Sequence, residues 1–172
     1  MKALNIYFKI SLAMFFLIIL GQNLWAKGDL TETDINKITV EISNEKGDYV
    51  FNCIDCENPK LLKFETGKAY KLVLLNKSKQ KHYFTSYSLA RLVFTRKVHV
   101  FKGLEVMDGW AAEVKGNVTE IEIAPMTKTD WYFVPVKTGK GNDVHCHITE
   151  SDGKNVGKSH ADLGMTMSYE VY

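Results

Sequence analysis

Asp143-Val-His145-Cys146-His147-Ile148, followed after a polar stretch by His160-Ala-Asp-Leu-Gly-Met165, is the most informative part of this 172-residue sequence. Three of the five His, one Cys and one Met fall within 21 residues there. Side chains alternate along a strand, so Val144, Cys146 and Ile148 share one face. Val144 and Ile148 are apolar, which makes that face the interior and points Cys146 into a core. His145 and His147 then point the other way and do not share a metal ion with Cys146. Donors for the thiolate must come from elsewhere: His160 and Met165 from one loop further on, and His82 from Lys81-His82-Tyr83-Phe84 upstream.

Outward from this stretch the chain reads as short strands. Lys37–Ser43 alternates, with Ile38, Val40 and Ile42 on one face. Tyr49–Phe51, Leu61–Glu65, Ala69–Asn76, Lys81–Ser86, Lys97–Phe101, Thr119–Ala124, Trp131–Lys137, Asp143–Ile148 and Thr166–Tyr172 follow, with a turn at Thr66-Gly67-Lys68. Tyr87–Phe94 has helical spacing and predicts one short helix. The tracts 138–143 and 151–158 read as loops. His99, in Val98-His99-Val100, reads as an exposed strand residue. Many short strands and one helix predict an all-β fold, a two-layer sandwich or closed barrel.

Met1–Ala26 reads as an address rather than as structure. Lys2 and Lys9 precede an eleven-residue apolar run, Ile10–Leu20, too short for a membrane span of about 20 residues. A secretory signal cut after Ala26 is expected, with an uncleaved single anchor as the alternative. The division is then 1–26 signal, 27–36 lead-in and 37–172 domain, and the location is periplasmic or secreted. Membrane association is expected only if the segment stays uncleaved. The whole chain carries 22 Lys and Arg against 20 Asp and Glu. Without residues 1–26 the counts are equal, at 20 each. That balance gives no footprint for nucleic acid and little long-range steering.

Two His, one Cys and a weak axial Met form the ligand set of a blue-copper site. The sequence resembles the cupredoxins, the Greek-key fold of plastocyanin and azurin. Glu57–Asn76 resembles the family's early strand pair, Lys81–Phe84 its His-x-Phe, and His160–Met165 its closing His and Gly-Met; the likeness covers most of 38–172. The resemblance implies one type 1 copper with His82, Cys146 and His160 equatorial and Met165 axial. Met167 competes for the axial place but alternates with Tyr169 and Val171 as a core residue. The resemblance also implies a partly exposed His160 that passes electrons to a redox partner docked nearby. One departure stands out: thirteen residues separate Cys146 from His160, where the family leaves only a few. A longer surface loop costs little closure entropy, about 0.6 kcal/mol per doubling. It leaves room for a looser site or altered solvent access at His160.

His-Cys-His-Ile also resembles the last domain of multicopper oxidases, where the flanking His bind a separate copper cluster. That cluster needs more paired His than His82 and His99 supply, so an oxidase site is not expected, and neither is an enzyme. His145 and His147 read as outward strand residues, with a weak second metal site as the alternative. Cys53-Ile-Asp-Cys56 reads as a local disulfide, because neither a thioredoxin-like βαβ pattern nor a second Cys pair for zinc accompanies it. The leading function is single-electron carriage. The alternative is copper sequestration, delivery or tolerance.

Overall fold

Val40 and Ile42 are fully buried and Ile38 partly so, as the alternation in Lys37–Ser43 requires. The computed structural model describes residues 34–44, 48–105 and 109–172. The signal-like segment 1–26 and most of the 27–36 lead-in lie outside the described residues. In chain order the strands are β1 (Asn36–Ser43), β2 (Val50–Cys53), β3 (Leu61–Phe64), β4 (Tyr70–Asn76), β5 (His82–Thr85), β6 (Val93–Phe101), β7 (Trp110–Val114), β8 (Glu120–Ile123), β9 (Thr127–Pro135), β10 (Gly139–His145) and β11 (Thr166–Val171), with helix α1 (Tyr87–Ala90).

They form a six-stranded sheet, β2-β1-β4-β9-β6-β7, and a five-stranded sheet, β3-β11-β10-β5-β8. The β1–β4 and β3–β11 pairs are parallel and the others antiparallel. Aromatic rings join the two layers: Phe64 meets Phe133 at 5.1 Å, Phe51 meets Phe84 at 5.7 Å and Phe84 meets Trp131 at 6.4 Å between centroids. The fold is the β-sandwich expected from the strand pattern. Gly67 takes φ +81° at the expected turn, and Cys53 and Cys56 are disulfide-bonded, leaving Cys146 as the free thiol.

Four expectations need correction. The helix stops at Ala90, capped at its start by the Ser86 hydroxyl, which accepts from Leu89 N–H at 3.2 Å. Leu92 turns the chain, and Val93 and Phe94 open β6 instead. The edge strand β7 is an addition to the expected set: Ala111 and Ala112 give it no contrast between faces, and Val114 is exposed. Its presence explains His99, which is buried rather than exposed. The ring lies opposite Glu113 on β7, with Nε2 2.5 Å from the carboxylate.

The fourth correction concerns 138–148: 138–143 is strand from Gly139 onward and not loop, and the strand ends at His145, so Cys146–Ile148 follow it instead of completing it. Its glycines are there for packing. A Cβ on Gly139 would fall 2.8 Å from Leu92, and one on Gly141 would fall 2.7 Å from the Tyr169 hydroxyl and 2.8 Å from its ring. That hydroxyl is held by Ser88 at 2.6 Å, so the ring has little room to yield. Gly141→Ala is expected to cost roughly 1–3 kcal/mol by overpacking, read as a lower urea midpoint at unchanged slope.

Candidate metal centre

His82 opens β5, Cys146 follows β10 directly, and His160 lies on the loop before β11, so three segments remote in sequence meet at one end of the sandwich. All three side chains are buried. His82 Nδ1 and His160 Nδ1 are 3.2 Å apart, and Cys146 Sγ lies 3.9 Å from the first and 3.5 Å from the second. The centre of a triangle with those sides is roughly 2 Å from each corner, the length of a bond from imidazole or thiolate to a first-row metal. Imidazole and thiolate together suit a soft or borderline ion and not Mg²⁺ or Ca²⁺. Among the described residues this is the one His, Cys and carboxylate group so converged.

Local structure explains each position. Asn76, fully buried at the end of β4, donates to the carbonyls of Gln80, Ile123 and Ala124 and accepts from Ser78 N–H. It thereby fixes the 76–82 turn. Ser78 Oγ, held in that turn, sits 2.8 Å from His82 Nε2. A hydroxyl both donates and accepts, so it suits either tautomer of the ring. Cys146 Sγ accepts from Tyr83 N–H at 3.3 Å. The closing loop is laced to Cys146 and to itself: Cys146 N–H donates to Met165 O, Ala161 N–H to Cys146 O and Met165 N–H to His160 O. Gly164 completes that loop at φ +103°. Met165 is fully buried, and Met167 is buried on the core face with Tyr169 and Val171.

The electrostatics favour neutral imidazole. Burial, and then the proximity of His160, lower the His82 pKa to about 4. Burial pushes the Cys146 thiol up, opposed by the backbone N–H groups of Tyr83 and Ile148. A metal ion must therefore displace a proton from sulfur but has none to displace from His82. The unfolded chain protonates this histidine near 6.5, whereas the folded protein resists until about 4. The metal-free protein is accordingly expected to be fully stabilised by this group above pH 6.5. It should lose roughly 3 kcal/mol as pH falls through about 4. Urea titrations at about pH 7, 5 and 4 check this, with a flatter profile expected for His82→Phe.

His145 and His147 stand outside the triad; His145 ends β10, and His147 is exposed just beyond it. His145 Nδ1 donates to Asp143 O at 2.7 Å. His147 stacks on Tyr83 with centroids 4.4 Å apart and lies 3.5 Å from Glu120.

No family model matches the sequence, and no curated protein is significantly similar to it. Solved structures are similar in shape. The blue copper oxidase from Nitrosomonas europaea superposes with a TM-score of 0.50 at 16% identity, over 83% of this chain and 46% of the oxidase. The fold is a cupredoxin fold. The multicopper oxidase from Campylobacter jejuni gives a TM-score of 0.46 at 17% identity, over 81% of this chain and 30% of that one. The copper protein rusticyanin gives 0.41 at 15%, over 79% and 76% of the two chains. The chain thus spans less than half the length of either oxidase.

Within this cupredoxin fold the long loop behaves differently from expectation. Residues 149–159 form a small hairpin, with Thr149 bridged to Ser159 and Glu150 N–H donating to Lys158 O. The hairpin presents Glu150 to the His82–Cys146–His160 cluster, where Oε1 is 2.8 Å from His160 Nε2 and also accepts from the Tyr49 hydroxyl at 2.5 Å. His160 is therefore 1% exposed, not partly exposed. The Tyr49 ring lies 4.5 Å from the imidazole. Hydrogen bonding from Tyr49, and then from His160, holds the Glu150 carboxyl below its usual range. Burial, and then Glu150, push Tyr49 up to about 12. Sequence reasoning missed Ser78, Tyr49 and Glu150. A lone Glu in a polar loop carries no signal by itself; the only pointer was the length of the loop between Cys146 and His160.

Proposed function

We propose that the protein is an exported single-electron carrier, with one type 1 copper ion held by His82, Cys146 and His160 and with Met165 as axial ligand. The observation that supports this best is the convergence of two imidazole Nδ1 atoms and one thiol sulfur, all buried, from three separate segments. When bound, copper supplies a one-electron couple in which no substrate bond is made or broken. The chain's own part is to keep the donors still. Ser78 orients one imidazole, Tyr83 N–H holds the sulfur, and the backbone bonds between Cys146, Ala161 and Met165 tie the closing loop to it. Little then needs to rearrange when the charge changes.

Copper handling is the weaker reading. A protein that exchanges its metal needs accessible, loosely held donors, and these are buried and individually hydrogen-bonded. A redox protein would dock at the pole carrying His160. The electron would cross a shell formed by Ile148 and Glu150 rather than an exposed imidazole edge. The test is voltammetry of the copper-loaded protein together with chelator challenge. Reversible, fast one-electron exchange with metal retained supports carriage. Slow exchange with ready loss of copper to a chelator supports handling.

A further inference from the structure

Glu150 is nearly buried, and a buried carboxylate is costly unless its oxygens find donors. It finds two, both on Oε1: His160 ten residues on, and Tyr49, 101 residues earlier in the chain. A carboxylate facing Nε2 requires the proton there, which leaves the Nδ1 lone pair directed at Cys146 and His82. Glu150, Tyr49 and His160 are all buried, His160 to 1% exposure. A groove of about 220 Å³ is lined in part by Gln80, Lys81, Ile148, Ser151, Glu150 and His160.

We propose that Glu150 is the positioning residue of this metal centre: clamped by Tyr49, it fixes the tautomer of His160, places a negative charge one ring away from the metal, and seals the groove against external ligands. The proposal deepens the copper-carrier reading and rests on it for its redox consequences, but its tautomer consequence stands without metal. Carboxylate partners of this kind orient ligand histidines and raise their basicity, and their loss commonly costs about 10–100-fold in metal affinity. Extra anionic charge favours the more oxidised ion, so removing it raises the potential. The length of the inserted loop then has a physical reason, because a shorter connection could not carry a carboxylate round to the outer edge of His160.

The experiment compares wild type with Glu150→Gln, which keeps size and an acceptor oxygen but loses the charge, and Glu150→Ala, which loses both. Nitrogen-15 NMR of the metal-free proteins should show His160 protonated on Nε2 in wild type and in Glu150→Gln, and as a tautomer mixture in Glu150→Ala. With copper, Glu150→Gln should keep the wild-type absorption band at a higher potential. Glu150→Ala should bind Cu²⁺ about 10–100-fold more weakly and show a new EPR species on adding free imidazole. An unchanged His160 tautomer in Glu150→Ala overturns the proposal, as do an unshifted potential together with an affinity within about twofold of wild type in both variants. A wild-type protein without a thiolate absorption band counts against the copper reading instead, and the metal-free NMR still decides the role of Glu150.

Discussion

Cys146→Ser is expected to abolish the intense visible absorption of the copper-loaded protein and to weaken copper binding by more than about a hundredfold. The sulfur is the only thiol free to ligate among the described residues and lies within 3.9 Å of both imidazole Nδ1 atoms. A thiolate gives a strong charge-transfer band and a short covalent bond. A serine hydroxyl stays protonated near neutral pH and gives neither. The exchange is close to isosteric, and Tyr83 N–H can donate to the new oxygen as it does to sulfur. The fold should therefore survive, with far-UV circular dichroism unchanged. Optical titration with copper, run beside that control, separates loss of a ligand from loss of structure.

Phe133→Ala is expected to give the largest loss of stability, about 3–5 kcal/mol. The ring is fully buried on β9 and sits among Trp131, Phe64 and Tyr70 at 4.9, 5.1 and 6.0 Å between centroids. Phe64 belongs to the opposite sheet, so the substitution opens a void where the two layers meet. Neighbouring rings are flat and rigid and cannot flow into it. A domain stabilised by the usual range of about 5–15 kcal/mol would lose a large share. The midpoint of urea unfolding should drop accordingly, with the slope kept.

The features legible in the sequence were those with local periodicity or unusual chemistry. Alternation in Lys37–Ser43 located β1, and the apolar run ending in Asn76 located β4. Cys146 is buried and His147 exposed, as alternation along Asp143–Ile148 predicts, although β10 ends at His145 and only the first half of that stretch is strand. What stayed hidden depends on partners distant in the chain. Gly139 and Gly141 resemble turn residues until Leu92 and Tyr169 occupy the space beside them. His99 resembles a surface residue until β7, itself nearly featureless, lies alongside. Ser78 is one polar residue in a polar turn, and only the threefold donation by Asn76 shows that the turn is fixed. Glu150 becomes meaningful only when the hairpin folds back over His160.

The atoms bonded to the metal decide whether this pole of the sandwich is a thiolate copper site. X-ray absorption at the copper edge of protein loaded with one equivalent of copper should show two imidazole nitrogens and one short sulfur bond at each copper ion. A shell of nitrogen and oxygen alone, with no sulfur at bonding distance, would contradict it.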